Sequence, residues 1–135
     1  MRILLPTDFS KNAWQAIEYA LYLFEKIPCQ FYVLHAHQVS PSGLVSTINK
    51  ERETRLFEST LLEAQEKLNK IINHLTSINK VPGHQFEGIL EPDTLLNAMG
   101  RHIIDEDIDF VFMGTQGATG MKEVFLGSNT VRLIR

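Results

Sequence analysis

Four glycines fall within fourteen residues near the end of the chain, at Gly114, Gly117, Gly120 and Gly127, and the whole chain has only eight. The segment from Gly114 to Thr130 reads GTQGATGMKEVFLGSNT. Glycine lets backbone approach an anion closely and take up positive φ. Ser128 has the side chain to cap a helix, and a helix N-terminus offers free N–H groups and a partial positive charge. A phosphate chain suits such a place. Ser128 and Thr130 add hydroxyl donors, and Asp8, at the end of the first apolar run, is placed to accept from a sugar hydroxyl. The competing reading is a surface loop whose glycines only make turns. The pattern is not a Walker loop, since no Gly-Lys-Ser/Thr occurs, and no GxGxxG follows the first strand.

Other reactive groups are less organised. His35 and His37 share one face of a strand, but a metal needs a third ligand, and neither Cys29 nor His74 has a reason to converge on them. A strand-end histidine bonded to backbone is the preferred reading. Asp105, Glu106, Asp107 and Asp109 cluster in a polar connection, where carboxylates are usually solvated rather than paired for acid–base work. Lys122 could meet a terminal phosphate or face water. No Gly-x-Ser-x-Gly elbow is present, and no Ser or Cys has a His partner in a motif. No catalytic set is assigned.

The elements that must hold these residues alternate. Arg2 to Pro6 reads as a buried strand. Ser10 caps a helix whose Trp14, Ile17, Leu21 and Phe24 form one apolar face, ended by Pro28. Gln30 to Ala36 is a second strand, and Val39 to Thr47 is a loop. A long helix follows from about Glu51 to Asn79, read as lying on a sheet in preference to a coiled coil. Gln85 to Leu90 is a third strand. Pro92 in the first turn and Asp93 beside it start a helix that buries Leu96, Met99 and Ile103. Asp109 to Met113 is the fourth strand, and a last helix begins at Ser128.

This β-α-β-α-β-α-β-loop-α order predicts an α/β domain, a doubly wound open parallel sheet with helices on both faces. Ligands of such folds bind at the carboxyl ends of strands where the winding reverses. The 135 residues make one domain, 1–135, of ordinary globular composition, 44% hydrophobic and 21% charged. A net charge of −3 without a basic patch argues against nucleic acid. No apolar run reaches a membrane span, and MRILLP is too short and uncharged for a signal peptide. The lone Cys29 fits the reducing cytoplasm.

The start RILLPTDFS, the run FVFMGTQG and the spacing Gly114, two residues, Gly117, nine residues, Gly127-Ser128 together resemble the nucleotide-binding members of the universal stress protein family. The resemblance covers the whole chain. It implies an adenine nucleotide α-hydrolase-like fold. It implies that the aspartate after the first strand contacts ribose, that backbone near the end of the second contacts adenine, and that the glycine motif holds phosphates. Matched by position, the implied site is Thr7, Asp8, Ala36, Met113, Gly114, Gln116, Gly117, Gly127, Ser128, Asn129 and Thr130. The ligand is ATP, or ADP or AMP, with Mg²⁺ accompanying the nucleotide and no other metal.

The expected function is a nucleotide-binding stress-response module with little or no turnover. The alternative is a nucleotide-free interaction domain acting through dimerisation or a protein partner. The family closes its sheet with a further strand after the last helix, and no residues remain here to make it. The sequence therefore predicts a native protein continuing past Arg135, with a second domain of the same kind as an option, an open edge on strand four, and a homodimer that covers this edge.

Overall fold

A computed structural model describes residues 1–37, 47–114 and 123–126, with backbone alone at 47–54 and 123–126. Its elements are β1 (Arg2–Pro6), α1 (Lys11–Leu23), β2 (Cys29–Ala36), α2 (Thr47–Ile78), β3 (His84–Glu91), α3 (Leu95–Asp105), β4 (Phe110–Met113) and β5 (Glu123–Leu126). The five strands form one sheet in the order β3-β2-β1-β4-β5. β1 pairs parallel with β2 and β4, and β2 pairs parallel with β3. The chain winds outward from β1 to β3, then crosses back to β4 on the far side of β1. The winding direction therefore reverses between β1 and β4, where an open α/β sheet forms its crevice.

β1 and β2 carry apolar runs because both of their faces are covered. Ile3, Leu5, Phe31, Val33 and Phe112 pack under Ile17 and Ala20 of α1, its C-cap Phe24, and Leu68 and Leu75 of α2. Leu4, Tyr32, Leu34 and Val111 face the other way and pack with Ala98 of α3 and with Ile108. The expected helices on both faces are present. Among the described residues no helix is long and apolar enough to cross a membrane.

Several expectations need correction. Ser10 caps α1 as expected, but the helix ends at Leu23, before Pro28. α2 begins at Thr47, earlier than the sequence suggests. Its 32 residues span about 48 Å, whereas an eight-residue strand spans about 26 Å. Among the residues whose burial is described, its buried positions begin at Ala64. Pro92 lies outside α3, because Thr94 is the cap and accepts from Asn97 N at 3.2 Å. Asp93 accepts from Thr94 N rather than sitting in the first helical turn. Leu96 is 80% exposed instead of buried. It lies two residues, about 200° around the helix, from the buried Ala98.

The open edge expected on β4 is also absent. Glu123–Leu126 pairs with β4 antiparallel, Val111 opposite Phe125 and Phe112 opposite Val124. This run belongs to the nine-residue spacer of the glycine motif. The strand that the family resemblance places after the last helix is a different one. The predicted last helix and the predicted loop after β2 lie outside the described residues, apart from Thr47.

Between α1 and β3 the fold depends on His84. Its buried Nε2–H donates to the carbonyls of Phe24 at 2.9 Å and Ile27 at 2.8 Å, and its ring meets Phe31 edge-on. Both carbonyls lie in the turn that follows α1, where that of Phe24 also accepts from Ile27 N at 3.1 Å and that of Ile27 from the Cys29 thiol at 3.3 Å. His84→Leu removes the donor from both. The expected loss is about 2–3 kcal/mol, read as a lower urea midpoint at unchanged slope. A midpoint equal to wild type would show that their remaining partners satisfy both carbonyls.

Candidate functional site

The segment Thr7-Asp8-Phe9-Ser10 carries the chain from β1 into α1 through local hydrogen bonds. Thr7 is buried, and its N–H donates to the Leu34 carbonyl at 2.8 Å, so it extends the β1–β2 ladder by one bond. Its hydroxyl accepts from Phe9 N at 3.0 Å. Asp8 Oδ1 accepts from Ser10 N at 2.9 Å, and Ser10 Oγ accepts from Ala13 N at 3.2 Å to open the helix. These side-chain-to-backbone turns explain why short polar residues follow the strand. They hold Phe9 at φ 65°, a left-handed conformation that a bulky residue seldom adopts.

Asp8 is exposed and its carboxyl is held below the ordinary aspartate value. The largest cause is hydrogen bonding to the Ser10 side chain; the Ser10 N–H adds to it and partial burial opposes it. At neutral pH Asp8 is therefore an ionised acceptor at the mouth of the crevice.

Backbone groups along β2 alternate between its two neighbours. Leu34 O faces β1, where it accepts from Thr7 N, and His37 N faces β3, where it donates to Glu91 O at 2.7 Å. Alternation turns the N–H and C=O of Ala36 to the β1 side. There the next β1 acceptor, the Thr7 carbonyl, is taken by the His35 ring, whose Nδ1–H donates to it at 2.8 Å. Ala36 thus offers a backbone donor and acceptor beyond the end of β1.

Met113 and Gly114 complete the opposite wall from the end of β4. Gly114 lies against the first turn of α1. A Cβ there would sit 2.5 Å from the Asn12 carbonyl carbon and oxygen and 2.8 Å from Ala13 N. The first glycine of the motif thus has a packing role whatever ligand it meets.

Thr7, Asp8, Ala36, Met113 and Gly114 all line one pocket of about 120 Å³ at the β1/β4 switch point. A whole organic ligand usually needs roughly 300–1,000 Å³, so the described walls would enclose one portion of a ligand, on the scale of a single ring system. Gln116, Gly117, Gly127, Ser128, Asn129 and Thr130, the remaining expected site residues, lie outside the described residues, as does Lys122.

Pro6, Ala13, His35 and Leu95 also line the pocket and were not expected there. Ala13 and Leu95 occupy the first turns of α1 and α3. In a parallel α/β sheet those turns start at the carboxyl ends of strands, which is the signal that could have found them. His35 is bonded to backbone as the sequence suggested, and its ring lies 4.4 Å from that of Phe9.

The weighed metal ligands separate. Cys29 begins β2 and His35 nearly ends it, about 20 Å along the strand. Burial pushes the Cys29 thiol up, which makes it inert. His37 instead meets Thr60 Oγ1 at 3.1 Å. The acidic cluster is not simply solvated either. Asp109 Oδ2 accepts from Arg2 N at 2.9 Å, and the Arg2 guanidinium donates to Glu106 O at 2.9 Å. The Asp109 carboxylate and the Glu106 backbone carbonyl fasten the start of β1, at the opposite end of the sheet from the pocket.

A model described as the universal stress protein family matches residues 1–135. Universal stress protein MJ0577 of Methanocaldococcus jannaschii is 26% identical over 147 residues, which cover 99% of this chain and 88% of that protein. Universal stress protein MJ0531 of the same organism is 25% identical over 141 residues, covering 99% and 75%. The solved structure of MJ0577, the subject of a structure-based assignment of biochemical function, matches with a TM-score of 0.71 at 26% identity, covering 98% of this chain and 87% of that one. Universal stress protein UspA of Lactobacillus plantarum shares the fold, with a TM-score of 0.67 at 16% identity, covering 99% and 90%.

Proposed function

The chain belongs to the universal stress protein family, and from that premise we propose that it is an adenine-nucleotide-binding module of the stress response with little or no turnover. The ligand is ATP, or ADP or AMP, with Mg²⁺ carried on the phosphates. The observation that carries this reading is the meeting of Thr7, Asp8, Ala36, Met113 and Gly114 in one pocket at the β1/β4 switch point. Thr7 and Asp8 come from the motif at one end of the chain, Met113 and Gly114 from the motif at the other, and Ala36 from the end of β2.

In this reading the backbone of Ala36 recognises the adenine edge, and Met113 gives the ring an apolar wall. The ionised Asp8 accepts from a ribose hydroxyl. The phosphates pass to Gly114, Gln116, Gly117, Gly127, Ser128, Asn129 and Thr130, whose spacing in the sequence supports the assignment. A pocket sized for one portion of a ligand fits this division. No described residue is positioned as a general base, so hydrolysis is not part of the proposal. The reading also includes the cytoplasm, where the lone Cys29 stays reduced, and pairing with a second copy or a second domain. Among the described residues β5 is an outer strand, and an outer edge is a surface that a partner can cover.

Calorimetric titration of the purified chain with MgATP should give one site per chain. Mass spectrometry of the denatured protein should find any adenine nucleotide carried through purification. Asp8→Ala should weaken binding by about 1.5–3 kcal/mol, the scale of a hydrogen bond to a charged group. The absence of both heat and thermal shift at roughly millimolar nucleotide would reject the reading in favour of a nucleotide-free interaction domain.

A further inference from the structure

A second pocket, of about 390 Å³, opens between α1 and α2 and shares only Thr7 with the first. Its volume falls within the roughly 300–1,000 Å³ usual for small-molecule sites. Part of its lining is apolar: Phe9, Trp14 and Ile71, each half-buried against the core. Another part is cationic. Lys67 and Lys70 stand three residues apart on α2, a spacing that places both on one face of the helix. The Lys67 ammonium lies 5.6 Å from the centre of the Phe9 ring. No carboxylate lines the pocket, and among the described residues neither lysine forms an ion pair.

Two exposed lysines are ordinarily solvated, and a half-buried tryptophan is ordinarily core. Here both border one concavity large enough for a ligand, with Phe9 and Trp14 contributed by the start of α1 and the turn before it, and Lys67, Lys70 and Ile71 by α2. Phe9 reaches its place only by adopting φ 65°, a conformation that must be held by its surroundings. An aromatic body with one anionic group would match both kinds of lining together. A neutral ring would leave the lysines unused, and a bare anion would leave the apolar lining wet.

We propose that the pocket between α1 and α2 binds a small organic anion with a flat apolar ring, the ring against Trp14 and Ile71 and the anionic group at Lys67 and Lys70. An aromatic carboxylate is the simplest member of this class. The site is separate from the adenine-nucleotide reading and does not depend on it. Through Thr7 and Phe9, whose ring lies on His35, an occupant would also touch residues that shape the first pocket.

Trp14 is the only tryptophan in the chain, so its indole N–H is the single such resonance in a ¹H–¹⁵N spectrum. The test is a titration of the full chain with 2-naphthoate and, separately, with neutral 2-naphthamide. A saturable shift of the Trp14 indole is expected with both, with the acid binding about tenfold more tightly, as one charge-assisted contact provides. The double variant Lys67→Met, Lys70→Met keeps both aliphatic stems and should lose this preference. Both positions are exposed, so folding should be unaffected. The proposal is overturned by no saturable shift up to about 10 mM, by equal affinity for acid and amide, or by a preference that survives in the double variant.

Discussion

Gly114→Ala should destabilise the protein by about 3 kcal/mol or more, at the upper end of overpacking costs. The new Cβ would meet the Asn12 carbonyl carbon and oxygen at 2.5 Å and Ala13 N at 2.8 Å. All three are backbone atoms, so no rotamer change can relieve the clash. Asn12 and Ala13 lie in the first turn of α1, which Ser10 caps, and Ala13 is itself buried. Relief requires moving the start of α1 away from the end of β4, which would disturb the packing of Ile17 and Phe112. Gly100→Ala is the matched comparison. It lies within α3, where a Cβ has nothing within 4 Å, and it should stabilise by about 0.5–1 kcal/mol. Urea unfolding of the two variants should therefore move the midpoint in opposite directions. A Gly114→Ala midpoint within about 0.5 kcal/mol of wild type, the usual range of a neutral surface change, would mean that α1 and β4 do not approach this closely.

Gly117→Val should abolish binding of MgATP, a loss of at least about a hundredfold on the scale of about 2.7 kcal/mol. Gly117 lies outside the described residues, so its role is argued from the chain. It is the second glycine of the spaced motif, three residues beyond the wall of the pocket that Gly114 forms. Three residues extend at most about 10 Å, so this position stays within reach of a ligand held at Asp8 and Ala36. A β-branched side chain there would disfavour positive φ and occupy the path of the phosphates. Calorimetry reads the loss, and an unfolding midpoint measured alongside separates lost binding from lost fold. Equal affinity in wild type and variant would remove the glycine motif from the proposed site.

The two glycine predictions differ in kind. Gly114 was legible in the sequence as a ligand-binding glycine, yet the described structure gives it a packing role that no ligand is needed to explain. Leu96 shows the opposite failure. Its spacing from Met99 and Ile103 reads as one apolar stripe, but α3 buries only a narrow face centred on Ala98. A helix period fixes relative angles, not the width of the face that a sheet covers.

The chain alone determined what depends on near neighbours. The runs Ile3-Leu4-Leu5 and Phe31 to Leu34 are apolar at consecutive positions, so strands buried on both faces follow directly from them. Ser10 caps α1 because its hydroxyl reaches an N–H three residues on. The alternation of strands and helices dictated a parallel sheet, and with it a crevice at the carboxyl ends of strands where the winding reverses. The tertiary structure decided everything that depends on which elements become neighbours. Glu123–Leu126 is four residues inside an apparent spacer, and it becomes a strand because β4 presents a free edge beside it. His84 is one polar residue at the start of a strand until the fold brings the end of α1 to its ring. Lys67 and Lys70 are two charges on a long helix until α2 is laid beside Trp14. Periodicity marks which face of an element is apolar, but the partner across that face is chosen by closure of the whole sheet, and contacts between residues far apart in sequence have no local signal.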